Sequence, residues 1–219
     1  MSIKAAIFDW DGTVVDSVEH ITDCLQHAST TIGFPALTRE TYRDIIGLGL
    51  VEALRRLYPE ITPTQMSEMR EAYSTRFMAT SAAHQRIFPG MLDVLQNLHE
   101  SGHHCAVATG KSRRGLNLAL QASQLASWFH VTRCADETRS KPDPAMLLEI
   151  LEHLQLDPAD AVMIGDTTYD LQMARTIGMP SIGVSWGVHN AQALAQHQPV
   201  AIVSNAQELQ SLLKQITGP

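Results

Sequence analysis

Four short apolar stretches, each closed by a small, hydroxylated or acidic residue, constrain the fold of this chain more than any other feature. They are Ala5 to Phe8 before Asp9, Cys105 to Ala108 before Thr109, Ala161 to Ile164 before Gly165 and Asp166, and Ser181 to Trp186 before Gly187. Short apolar runs of this kind suit strands buried in a sheet. Between them lie segments with helical spacing, such as Met91, Leu92, Leu95 and Leu98, or Met146, Leu147, Ile150, Leu151 and Leu154. Strands that alternate with helices predict an α/β fold with a Rossmann-like parallel sheet covered on both faces. Asp143-Pro144 reads as an N-cap with proline in the first helical turn, and Gly102 and Gly178 as helix stops.

One block breaks the alternation. From about Ser17 to Ala83 only helical patterns occur: Val18, Ile21, Leu25, Ala28 and Ile32, then Tyr42, Ile45 and Ile46, then Met66, Met69, Tyr73 and Phe77. Thr62-Pro63-Thr64-Gln65 resembles a capping box. The expected organisation is an α/β core of residues 1–16 and 84–219 with an inserted all-helical subdomain of residues 17–83, joined near Asp16 and near Phe88-Pro89-Gly90. The Met and aromatic stripe is read as that subdomain's own core.

Composition removes several function classes. Hydrophobic residues make up 44% of the 219, too many for a disordered chain, yet no apolar run reaches the roughly 18 residues of a membrane span. Sixteen Lys and Arg against 23 Asp and Glu leave a net charge of -7, which disfavours a nucleic-acid partner. Cys24, Cys105 and Cys134 are odd in number and far apart, which suits buried, reduced thiols. The opening residues lack the apolar region of a signal peptide, so a cytoplasmic location is expected.

The chemistry concentrates in Asp9-Trp10-Asp11-Gly12-Thr13 at the end of the first strand. Positions two apart on an extended chain face one side, so Asp9 and Asp11 can share a space, and Gly12 permits a sharp turn with N–H groups open to an anion. An Asp-Gly turn capping the next helix is the plainer reading. Asp166 and Asp170 follow another strand, where an ordinary helix N-cap is the alternative. Parallel strand ends open onto one sheet edge, so these carboxylates converge. Two of them about 4 Å apart repel by about 4 kcal/mol at an effective dielectric of 20, so the cluster needs a cation or protons. Oxygen ligands favour a hard ion, and Mg2+ accompanies phosphate chemistry. Thr109-Gly110 opens a helix, as a phosphate site or a plain cap. His99-Glu100-Ser101-Gly102-His103 has the letters of a zinc motif, but Gly102 is expected to end the helix between the two imidazoles. Gly110-Lys111-Ser112 lacks the upstream glycine of a nucleotide-cradling loop. Lys111, Arg113 and Arg114 read as a solvated helix face able to attract an anion.

Phe8 to Ser17, Thr109, Lys141-Pro142-Asp143-Pro144 and Gly165 to Asp170 resemble, in order, the four motifs of the haloacid dehalogenase superfamily over nearly the whole chain. The inserted helices resemble its cap domain, and the combination is most similar to the phosphoglycolate phosphatase-like branch. Trp10 stands where an aliphatic residue is usual, and Gly110 where relatives often carry Asn. The resemblance implies a Mg2+-dependent phosphatase acting on a small phosphorylated metabolite, phosphoglycolate-like or related, through an aspartyl-phosphate. Asp9 would be the nucleophile, and Asp11 the acid and then the base. A free Asp titrates near about 3.9, so the acid role demands an upward shift. Mg2+ would be held by Asp9, the Asp11 carbonyl and Asp166, with Asp170 direct or through water, while Lys141 and Thr109 orient the phosphoryl oxygens. Gly12, Thr13 and Gly110 would contact substrate, with Gly47 in the cap loop Ile46 to Leu50, otherwise a simple helix connection, and Arg43 a candidate anion contact. A phosphomutase is the nearer alternative, a phosphorylatable signalling module the more distant one, and haloacid dehalogenation fits less well because it needs no acid at Asp11.

Overall fold

The computed structural model describes residues 3–80 and 86–217. Among these, six strands form one parallel sheet: β1 (Ala5–Phe8), β4 (His104–Thr109), β5 (Val131–Cys134), β6 (Ala161–Gly165), β7 (Ser181–Val184) and β8 (Ala201–Val203). Their order is β5-β4-β1-β6-β7-β8. Side chains part to the two faces with a period of two. Ala6, Phe8, Val107 and Ile164 pack on one side with helices α5 (Met91–Glu100), α6 (Arg113–Ser123) and α10 (Ala206–Thr217). Ala5, Ile7, Ala106 and Met163 pack on the other with α7 (Ala145–Leu154) and α8 (Thr168–Thr176). Both faces are therefore apolar, which is why the central strands read as unbroken apolar runs.

The chain lays down β1, β4 and β5 in one direction and then β6, β7 and β8 on the far side of β1. Strand order thus reverses beside β1, where an open α/β sheet leaves a crevice at its carboxyl ends. Phe8 pairs with Ile164, so Asp9 and Asp166 leave the sheet on neighbouring strands.

Sequence patterning missed β5 and β8, the two edge strands, because Thr132 and Arg133 interrupt the first and the second is only three residues long. β7 ends at Val184, short of the expected Trp186. Leu92 is 47% exposed, and Val94 takes its expected place on the buried face. The proline expected in the first turn of α7 instead precedes it, while the Asp143 carboxylate accepts from the Ala145 N–H at 3.0 Å. Gly102 and Gly178 follow α5 and α8 with φ of 74° and 69°, so His103 lies beyond the helix that carries His99.

Residues 18–80 form α1 (Val18–Thr31), α2 (Arg39–Asp44), α3 (Leu50–Leu57) and α4 (Pro63–Thr80). Their buried apolar residues make a separate cluster drawn entirely from residues 18–77. Gln65 and Thr62 exchange the two bonds of a capping box, at 3.3 and 3.0 Å. Within this cluster the Tyr42 hydroxyl meets those of Ser29 at 2.7 Å and Tyr58 at 2.9 Å, which satisfies three buried polar groups together.

The helices join the sheet through a short antiparallel ribbon, β2 (Val15–Asp16) with β3 (Arg86–Ile87). The second crossing therefore comes earlier than Phe88-Pro89-Gly90: Phe88 already packs on the sheet side, and Gly90, at φ 84°, caps α5. The expected end of the helical block at Ala83 lies outside the described residues. No helix among the described residues is long and apolar enough to cross a membrane.

Candidate active site

The β1 ladder continues one residue past the strand, where the Asp9 N–H donates to the Ile164 carbonyl at 2.9 Å. The chain then folds back on itself. The Trp10 carbonyl accepts from the N–H groups of Val14 and Val15, both at 3.0 Å, and Gly12 turns with φ 80°. A Cβ at Gly12 would collide with the Asp166 carboxylate, so only glycine lets the two strand ends approach this closely. Trp10 is fully buried beneath the turn, edge-on to Phe129 at 6.0 Å. The aromatic residue between the aspartates thus fills the core and does not line the cavity.

Asp9, Asp166 and Asp170 each offer a carboxylate oxygen within 4.8 Å of the others, the only such group of potential metal ligands among the described residues. All three are buried. Lys141 enters from its loop with its ammonium 2.8 Å from Asp9 Oδ1 and 2.6 Å from Asp170 Oδ1. Apart from this ion pair, neither Asp9 oxygen has a hydrogen-bond partner among the described residues. Asp166 is held differently: Thr13 Oγ1 donates to Oδ1 at 2.8 Å, and the Val188 N–H to Oδ2 at 2.7 Å. Asp170 accepts at Oδ2 from the Thr167 hydroxyl at 2.6 Å and from its N–H at 3.2 Å, in the capping box that starts α8.

Three carboxylates around one ammonium leave negative charge uncompensated. Burial, reinforced by Asp170 and Asp166, pushes the Asp9 pKa well above the aspartate range despite Lys141. Burial, with Asp170, pushes Asp166 up to about 7 against the Val188 and Thr13 hydrogen bonds. Burial works against the Lys141 ammonium too, but Asp170 and Asp9 outweigh it and hold its pKa above the usual lysine value. An all-oxygen, partly unpaired donor set of this kind fits a hard divalent cation such as Mg2+.

Asp11 faces a different neighbourhood. Its Oδ1 accepts from the Ser17 hydroxyl at 2.5 Å and lies 3.0 Å from the Lys111 ammonium, while Oδ2 accepts nothing from the described residues. Asp9 and Asp11 both line a cavity of about 160 Å3 between the sheet edge and α1–α4, with Gly47 and Gly110 among its other walls. The turn carrying Gly47 rests directly on Gly110, where a Cβ would stand 2.5 Å from the Leu48 carbonyl and 2.6 Å from that of Gly47. A side chain at 110 and this seating of the loop exclude each other.

Several expected contacts fall elsewhere. Thr13 turns its hydroxyl to Asp166, and Gly12 packs beneath the same carboxylate, so neither forms the cavity wall. Thr109 is buried at the end of β4, accepting from the Lys111 N–H at 3.2 Å. Arg43 points away from the cavity and pairs with Glu19 at 2.6 Å. The Asp11 carboxylate is not part of the acidic trio.

Lys111 is the main correction. Read as part of a solvated face, it has a side chain only 7% exposed, with its ammonium on Asp11 and 4.6 Å from the centre of the Phe77 ring. Its place two residues after the strand-ending Thr109 was the available signal. Arg113 does lie at the surface, paired with Glu137 at 2.7 Å. Tyr73 and Phe77, read as core, face the cavity with one side. Also unforeseen was a polar bridge in which Tyr169 donates to the Asp44 carbonyl at 2.7 Å and accepts from Arg56 at 2.9 Å.

Residues 6–184 match the family described as haloacid dehalogenase-like hydrolase. The chain belongs to this family. Among similar members of the family, "Probable phosphatase IndB" of Dickeya dadantii is 33% identical, with 97% of this chain and 96% of that one covered. A phosphoglycolate phosphatase of Vibrio vulnificus is 26% identical over 94% of each chain. The crystal structure of a haloacid dehalogenase-like hydrolase from Bacteroides fragilis is 26% identical and superposes with a TM-score of 0.88, covering 95% of this chain and all of that one. This haloacid dehalogenase-like hydrolase is a phosphatase.

Proposed function

We propose that the chain is a Mg2+-dependent phosphatase of small phosphomonoesters that works through an aspartyl-phosphate on Asp9. The observation that carries this reading is the state of Asp9: buried, with no hydrogen-bond partner among the described residues beyond its ion pair with Lys141, and beside two further carboxylates. Such an oxygen is ready to bond to phosphorus. Asp9 Oδ2 forms the new P–O bond as the ester P–O bond breaks. Asp11 gives a proton to the departing alkoxide, then takes one from the water that releases phosphate and restores Asp9. Asp11 lines the cavity, and its Oδ2, which accepts nothing from the described residues, is the oxygen left for that exchange. Lys141 balances charge beside Asp9, and Ser17 and Lys111 fix the orientation of Asp11. Asp9, Asp166 and Asp170, with the Asp11 carbonyl, would hold Mg2+, which supplies electrostatic stabilisation of the phosphoryl group when bound. Thr109, one residue from Gly110, supports the phosphoryl side of the site.

Helices α1–α4 act as the cap that covers this site, and residues 17–83 are assigned to it, the rest to the core. Three free, buried cysteines support a reducing, cytoplasmic location. The test is phosphate release from a panel of sugar phosphates, 2-phosphoglycolate and pyrophosphate, with and without Mg2+, for wild type and Asp9→Asn. The expected result is metal-dependent release by wild type and none by the variant. Equal rates reject Asp9 as nucleophile, and isomer formation without phosphate release identifies a mutase.

A further inference from the structure

The walls of the active-site cavity carry information about the other half of the substrate. Apart from the floor made by Asp9 and Asp11, the cavity is bounded mainly by Ile21, Leu25, Ile46, Leu48, Phe77 and Met78. Two cations reach it. Lys111 is committed to Asp11 at 3.0 Å and covered by the Phe77 ring, and Arg114 is exposed at the mouth. Gly110 contributes no side chain, and the loop seated on it prevents one. The Tyr73 hydroxyl has no hydrogen-bond partner among the described residues and offers one uncharged polar group.

A carboxylate placed among the apolar walls, away from Arg114 at the mouth, would lose its hydration without gaining an ion pair of its own, whereas an apolar group would lose nothing polar. The volume adds a size. At about 160 Å3 the whole space, which also takes the phosphoryl group beside Asp9 and opens at the Arg114 mouth, is comparable to the cavities of about 150 Å3, lined by Leu, Ile and Phe, that bind benzene, so the part left for the alcohol half holds at most about one ring.

We infer that the alcohol half of the substrate is an uncharged, mainly apolar group of about ring size, held between Phe77 and the Ile46–Leu48 loop. The inference rests on the phosphatase reading and narrows it: a compact anion such as 2-phosphoglycolate is a poor substrate. Lys111 serves here as a specificity device, since its pairing with Asp11 removes the one buried cation among the cavity walls that a second anionic group would need.

Benzyl phosphate against 2-phosphoglycolate tests this directly, because both release an alkoxide and the comparison therefore reads the cavity and not the leaving group. With Mg2+ present, kcat/KM for benzyl phosphate is expected to be at least about tenfold higher. Equal values, or a preference for 2-phosphoglycolate, overturn the inference and leave the phosphatase reading intact. No phosphate from either ester, or from p-nitrophenyl phosphate, removes the phosphatase reading and this inference with it. Leu118 lines the cavity and is 40% exposed, so Leu118→Lys adds a cation without disturbing the core. That variant is expected to keep its melting temperature while the benzyl-to-glycolate ratio falls about tenfold. An unchanged ratio contradicts the proposed selection.

Discussion

Asp11 is positioned by two side chains, and the consequences of removing either are separable. Ser17 supplies a hydrogen bond from the start of α1, whereas Lys111 supplies charge and reaches across to Phe77. Lys111→Met keeps the stem and loses the charge, so kcat/KM for phosphate release should fall about 10- to 100-fold through misorientation of the acid. Lys111→Arg should restore part of it at unchanged melting temperature; a variant as active as wild type would show that Ser17 alone suffices. Gly110→Asn tests the neighbouring contact. Its side chain must displace the Gly47 and Leu48 backbone, so KM should rise about tenfold and the melting temperature should fall as the loop is unseated. An unchanged KM would mean that the loop seating is irrelevant to binding. At this scale the carboxylates were legible because each ends or follows an apolar strand. Lys111 was not, because a basic residue beside Arg113 and Arg114 looks solvated until the fold brings Asp11 to 3.0 Å.

Helices α2 and α3 are tied to α8 by one phenol. The Tyr169 hydroxyl holds the Asp44 carbonyl and the Arg56 guanidinium together, and the Arg56 guanidinium lies 5.5 Å from its ring centre. Tyr169→Phe keeps the ring and loses both hydrogen bonds, so unfolding should become easier by about 1 kcal/mol and KM should rise severalfold, as measured by denaturant titration and initial rates. A variant with wild-type KM would show that this bridge does not govern cap closure. Element type followed from spacing wherever both faces of a strand, or one face of a helix, are buried. It failed at β5 and β8, where an edge strand needs little apolar surface, and at the two-residue ribbon β2–β3, whose pairing joins Val15 to Ile87 and Asp16 to Arg86, far apart in sequence. The capping boxes at Thr62 and Thr167 behave alike locally, yet only the fold reveals that the second also aims Asp170 at Asp9.

For the whole molecule, the acidic trio makes stability depend on pH and on metal. Burial raises Asp166 from 3.8 to about 7 in the folded state, so its protonated form stabilises the fold fully below about pH 4, and that contribution is lost as pH rises through about 7. Asp9 shifts in the same direction. Metal-free protein should therefore melt at lower temperature at about pH 8 than at about pH 6. Mg2+ at 100 times its Kd should add about 2.7 kcal/mol, or several degrees, and one fixed Mg2+ concentration should add more at the higher pH, where the carboxylates are ionised. A melting temperature insensitive to Mg2+ at both pH values would argue against a cation among these carboxylates. The overall architecture was legible because alternating strands and helices force a parallel sheet. The cavity was not, since its walls come from α1, α3, α4, α6 and the loop at residues 45–48, which only the fold brings to Asp9. The central claim is that Asp9 itself takes the phosphoryl group. Acid-quenched mass spectrometry during turnover of benzyl phosphate with Mg2+ tests it most directly: the account predicts one phosphoryl group on the peptide containing Asp9, absent from Asp9→Asn, whereas phosphate release in the first turnover with that peptide unmodified throughout would contradict it.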